Sequence, residues 1–267
     1  MGACCGSKKT KLNFSKSPCS PVLEPSQYSP SINIKGNKLM NHSSSSLDSN
    51  ASEKTRINNS VFQFKNGDHY SGDSLDNQPH GEGRYIASKG FSYSGYWKRG
   101  NPHGIGQEVY ANKQGKFQGE YEDGVKNGYG KITFEDGSIY EGQLVNDNVE
   151  GYGILFWPDE KVYRGLWKKN KMAGRGRMEW PNGMYYEGQY ENDLKHGFGI
   201  FYYGKGRKMY VGFWKKGKLH GKGLMRNEKG EDFQGVWNEG KLLMKCDEKD
   251  SLDFEQICQE NGFRVFF

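Results

Sequence analysis

Aromatic, glycine and polar positions recur along the chain with a period of 23 or 24 residues. Each block opens on an aromatic residue: Tyr70, Tyr93, Phe117, Tyr140, Tyr163, Tyr186, Tyr210 and Phe233. Two residues later comes a glycine, and nine further on a Gly-x-Gly pair such as Gly104/Gly106 or Gly174/Gly176. A fixed period of this length predicts stacked structural units, each needing its neighbours to bury a core. With the leading aromatic as position 0, the glycines at 2, 11 and 13 form one alternation class with the aromatic or apolar residues at 4, 15 and 17. All of them are expected on one face of a sheet. Position 4 holds Trp97, Tyr121, Leu144, Trp167, Tyr190, Trp214 and Trp237, and position 17 adds Trp157 and Trp180, so all six tryptophans fall on that face. The glycines leave bare backbone for the rings to lie on.

Two strands of about five to seven residues fit one block. Steps such as Asp136-Gly137 and Asn182-Gly183 supply hairpin turns. The prediction is an all-β, elongated, single-layer antiparallel β-solenoid over 61–240, about 75 Å long if some sixteen strands are spaced ~4.8 Å apart. It is flanked by a disordered tail (1–60) and a C-terminal cap (241–267). Segments such as Tyr93-Ser-Gly-Tyr-Trp-Lys-Arg-Gly-Asn-Pro-His-Gly-Ile-Gly closely resemble the membrane occupation and recognition nexus (MORN) repeat. Departures are Asn127, Glu150 and Ala173 in place of the histidine before glycine, and Ser74 and Leu144 where other copies have Trp or Tyr. The resemblance implies a curved sheet that binds partners rather than catalysing. Proteins with such repeats are commonly membrane-associated or cytoskeletal scaffolds, and some carry an attached enzyme domain.

Charge adds a division of labour. Residues 1–60 are rich in Ser, Asn, Pro and Lys, with eight basic and three acidic side chains (8 − 3 = +5), while the rest carries 30 − 29 = +1. A nearly neutral repeat region argues against nucleic acid as a partner. The tail starts Met1-Gly2-Ala3-Cys4-Cys5-Gly6-Ser7-Lys8-Lys9, which resembles a dual-acylation signal: myristate on Gly2 and palmitate on Cys4 or Cys5. Ser7 lies one place later than the usual pattern wants. Two acyl chains together with Lys8, Lys9 and Lys11 would hold the chain at an anionic leaflet. No secretory signal or transmembrane stretch is evident, and five scattered cysteines suit a reducing, cytosolic setting. Ser17-Pro18, Ser20-Pro21 and Ser29-Pro30 read as spacer, and as candidate phosphosites. Asp250 to Gly262 reads as a short helix, with Asp250 or Ser251 as N-cap and Gly262 as C-cap, closing the solenoid's last rung, with a partner-binding helix as the alternative.

Candidate chemistry is sparse. His80, His103, His196 and His220 recur at position 10, where turn or packing roles are expected rather than metal. Neither a nucleophile elbow nor a phosphate-cradling motif occurs, so no enzyme activity, cofactor or small-molecule substrate is expected. Basic turns such as Lys168/Lys169/Lys171 alternate with acidic ones such as Glu122/Asp123, which favours pairing between rungs over a lipid-binding stripe. The face opposite the tryptophans carries Tyr129, Tyr152, Ile154, Phe156, Leu166, Phe198, Ile200, Tyr202, Val211 and Phe213, and is the candidate partner-binding face. The leading reading is a membrane-anchored, non-enzymatic scaffold that recruits proteins at the cytosolic face. The alternatives are a structural component of a cytoskeletal or ciliary assembly, and a regulatory subunit of a lipid kinase or similar enzyme.

Overall fold

The computed structural model describes residues 39–40, 56–111, 115–204, 207–246 and 252–263. Strands run β1 (Leu39–Met40), β2 (Arg56–Phe64), β3 (His69–Leu75), β4 (Gln78–Ile86), β5 (Ser92–Lys98) and β6 (Asn101–Val109). They continue as β7 (Lys116–Glu122), β8 (Val125–Thr133), β9 (Ile139–Val145), β10 (Asn148–Phe156), β11 (Val162–Lys168) and β12 (Lys171–Glu179). The series ends with β13 (Met184–Glu191), β14 (Leu194–Tyr203), β15 (Met209–Lys215), β16 (Lys218–Arg226), β17 (Asp232–Asn238) and β18 (Lys241–Lys245). All belong to one antiparallel sheet in which each strand pairs with its neighbours in sequence. Strand pairing reaches upstream of the first repeat, since Leu39–Met40 pairs with β2.

The glycines at positions 2 and 13 pair directly across every junction, both within a block (Gly165↔Gly176) and between blocks (Gly176↔Gly188). From Gly72 on β3 to Gly235 on β17 they form one unbroken file across the sheet. Over this bare strip lie the position-0 rings, buried from Tyr70 to Tyr210 and half-buried at Phe233. Each tyrosine among them donates its hydroxyl to the carbonyl three residues on, as Tyr93 to Tyr96 (2.9 Å) and Tyr163 to Leu166 (2.9 Å). The position-4 ring stands edge-on to the position-0 rings of its own and the preceding block, except that Trp237 stacks on Phe233 of its own block. Trp97 packs at 4.9 Å from Tyr93 and 5.3 Å from Tyr70, both nearly perpendicular. Its indole N–H finds the Gly83 carbonyl at 3.0 Å. A single layer thus builds a core from rings laid on glycine.

One face does gather the tryptophans, but a single alternation through the block does not hold. Core positions are 0, 2 and 4 on the first strand and 9, 13, 15 and 17 on the second. A bulge inside each hairpin resets the phase: Gly165 faces Gly176 and Trp167 faces Met172, leaving three residues opposite Leu166. Position 11 sits in that bulge with positive φ (Gly174, +60°), and a Cβ there would meet Leu166 on the opposite face. The position-11 glycines therefore serve backbone conformation rather than ring packing. The same bulge brings position 9 into the core as Val149, Met172 and Lys126.

The C-terminal helix exists but is shorter than expected. Helix α1 (Phe254–Glu260) has Asp253 as N-cap, whose side chain accepts from the Gln256 amide at 3.0 Å, and Asn261 as C-cap, with Gly262 at φ +73° just beyond. It does not close the last rung. It lies on the face opposite the tryptophans, and β18 keeps Leu242, Leu243 and Met244 exposed.

Candidate functional site

The open face, opposite the glycine file, is where the ten candidate partner-binding residues stand. Leu166 pairs with Tyr152 across β10 and β11, and Tyr129 lies two strands before Tyr152. These three are 43%, 51% and 59% exposed, and Ile154 and Phe156, half-buried, follow Tyr152 along β10. Phe213 is also exposed, at 39%. Phe198, Ile200 and Val211 are not: they are buried under α1, with Tyr202 packed at the margin. One patch of the open face is therefore free and the adjoining patch is covered by the chain itself.

The cover is held by apolar and polar contacts. Phe254, Cys258 and Phe263 are buried against Phe198, Ile200, Met209, Val211 and Leu224, and burial pushes the Cys258 thiol up to about 11. At the start of the helical segment the Gln234 amide donates to the Leu252 carbonyl (2.8 Å) and accepts from the Leu252 amide (2.7 Å). At its end Arg175 donates to the Gly262 carbonyl (2.8 Å) and stacks on the Phe263 ring at 4.4 Å, while pairing with Glu187 at 3.1 Å. Sequence reasoning missed this arrangement. The helix's own apolar side showed that it needed a surface, but no local signal said which.

The position-10 histidines lie along the turn edge. His80 and His103 accept, at 3.5 Å, from the amides of Arg99 and Asp123 in the next block's turn. Glu150 does the same for Lys169 at 2.8 Å, which explains why a carboxylate can stand where other blocks have histidine. Position 7 adds a second row of ties, with Asn170 and Asp193 accepting from the amides of Val149 and Met172. Lys218 pairs with Glu239 across neighbouring turns at 3.3 Å. Among the described residues no group of three His, Cys, Asp or Glu side chains is placed to hold a metal, and no helix is long and apolar enough to cross a membrane.

Two lysines enter the ring core at position 9. Lys126 meets Glu108 at 2.7 Å, both buried, and Glu108 occupies a position 15 filled elsewhere by Leu155 or Met178. Lys195 is enclosed by Phe201, Trp214, Tyr186 and Trp180, with its ammonium 4.4 to 5.3 Å from the ring centroids, and burial pushes its pKa down to about 8. The proposed lipidation residues Gly2, Cys4 and Cys5, and Lys8, Lys9 and Lys11, lie outside the described residues.

Comparison with solved structures finds the TCP10 domain of CPAP from Danio rerio at 15% identity and TM-score 0.39, over 70% of this chain and 87% of that one. It also finds the SAS-4 TCP domain of Drosophila melanogaster, solved with a proline-rich motif of Ana2, at 10% identity and TM-score 0.35, over 72% and 98%. At these scores the likeness carries no functional weight. The MORN repeat family model, by contrast, matches seven times, at 70–91, 93–114, 117–139, 140–162, 163–185, 186–206 and 210–231. With more than half of its length in matched repeats, laid out as one glycine-spined sheet, the chain belongs to the MORN repeat family.

Proposed function

We propose that this protein is a non-enzymatic scaffold whose open face recruits a protein partner, and that an acylated N-terminal segment holds it at the cytosolic face of a membrane. The observation that carries the recruiting role is the exposed cluster of Tyr129, Tyr152 and Leu166 on nearby strands of one face. Apolar side chains repeated on neighbouring strands form a patch rather than scattered exposure, and patches of this kind take partner segments. Replacing Tyr129, Tyr152 and Leu166 together with Ser leaves the ring core untouched, so the fold should survive while partners captured by the wild-type chain are lost. An unchanged set of captured proteins would remove the role.

The anchoring part rests on the coincidence of Gly2, Cys4 and Cys5 with Lys8, Lys9 and Lys11. Gly2→Ala should move the protein from the membrane fraction to the soluble one. If the protein instead stays in a detergent-resistant pellet that ignores this mutation, the cytoskeletal or ciliary reading replaces anchoring.

A further inference from the structure

The covered half of the open face has the features of a receptor. Positions 14 and 1 of the repeat face outward, and in most blocks they are polar: Gln107, Lys131 and Arg177 at 14, Gln118, Glu141 and Glu187 at 1. At β14 to β16 they become Ile200, Val211 and Leu224, beside Phe198 at position 12. The apolar change coincides with the place where α1 lies.

The hydrogen bonds of the polar clamps go to backbone rather than to side chains. Gln234 satisfies the amide and carbonyl of the residue before the N-cap, and Arg175 takes a carbonyl just past the helix's last turn. A cation there also complements the negative end of the helix dipole. Such clamps fit any short helix of similar length whose buried side resembles Phe254, Cys258 and Phe263. Seven residues of helix do not persist in water without a docking surface, so α1 is helical because it is seated. Past Arg175 the same face continues to the exposed Leu166 and Tyr152, which α1 leaves free. A partner helix longer than α1 could use the whole strip.

We infer that the open face of β14 to β16 is a receptor for a short amphipathic helix with aromatic anchors, that α1 fills it in cis, and that a partner helix of the same chemistry binds by displacing α1. This rests on the reading of the open face as the recruiting surface, and adds its regulation: the attached helix competes at an effective concentration in the millimolar range.

The test uses full-length protein and a fluorescein-labelled synthetic peptide of residues 250–263. In wild type the cis helix excludes the peptide. In Phe254→Ser/Phe263→Ser, which loosens α1 and keeps every receptor residue, the peptide should bind at least tenfold more tightly. Cys258→Asp, which places a charge under the helix, provides a second route and should tighten binding likewise. Adding Val211→Asp to either variant should abolish binding, as should the two Phe→Ser changes made in the peptide. Peptide binding no tighter than wild type in both variants, with the thermal transition of the sheet unchanged, overturns the inference. So does a wild-type chain that exchanges helices as a concentration-dependent dimer, which would assign the groove to a second copy. Tightened peptide binding alongside unchanged partner capture in the Tyr129/Tyr152/Leu166 variant sinks the recruiting surface but keeps the receptor, so the two failures are distinguishable.

Discussion

At Gly188 one added methyl group would sit 2.6 Å from the Gly199 Cα on the next strand and closer still to the Tyr186 hydroxyl oxygen. Backbone cannot yield there, so Gly188→Ala should cost about 3 kcal/mol, the upper range for overpacking. Gly240 shares the repeat's glycine richness but meets nothing within 4 Å and needs only its φ of +82°. Gly240→Ala should cost about 1 kcal/mol, the penalty of a left-handed conformation. Urea unfolding of the two variants checks the difference, and equal losses would mean that the glycine file is not a packing device. Lys195 makes a second prediction at this scale. Its folded pKa, near 8, lies below the ordinary lysine value of 10.5, so the unfolded chain binds more protons between these values and stability should rise with pH across that window. Below pH 8 the full penalty is present. Lys195→Met, which copies Met172 of the preceding block, should stabilise the protein at pH 7 by about 2 kcal/mol after allowing for lost cation–π contact. The gap between variant and wild type should narrow between about pH 8 and 10.5. A constant gap would place the amine in water.

Between elements, the Glu108–Lys126 pair ties β6 to β8 inside the ring layer. Lys126→Ala leaves a buried carboxylate without its counter-charge and should cost about 3–5 kcal/mol. Glu108→Leu/Lys126→Met restores the residue types that other blocks carry at these offsets, and should recover most of the loss. Thermal melts of the single and double variants decide this, and a double variant no better than the single would contradict it. The hairpins show how much of an element is legible beforehand. Strand pairs and turns followed from the period and the Asp-Gly and Asn-Gly steps, because these act over a few residues. The two-residue excess opposite Leu166 did not, since a bulge appears only when one strand is laid against another. That is why alternation alone puts position 11 on the wrong face and gives position 9 no place in the core.

Over the whole molecule, every block contacts only its neighbours, and the contacts repeat. Removing block 140–162 should therefore join block 117–139 to block 163–185 with equivalent glycine pairing, and leave a folded sheet shorter by two strand spacings, ~10 Å. Small-angle scattering measures that shortening, and an unfolded or collapsed product would show that the blocks are not interchangeable.

The sequence by itself determined the period, the glycine spine, the gathering of all six tryptophans on one face and the existence of a C-terminal helix. Each of these rests on local spacing that any one block repeats. Tertiary structure alone decided the phase of the second strand, the pairing of Glu108 with Lys126, the enclosure of Lys195 and the seat of α1 on β14 to β16. Those depend on which strand or surface arrives opposite a residue. For α1 the partners Arg175 and Gln234 lie 87 and 18 positions away along the chain, beyond any local pattern.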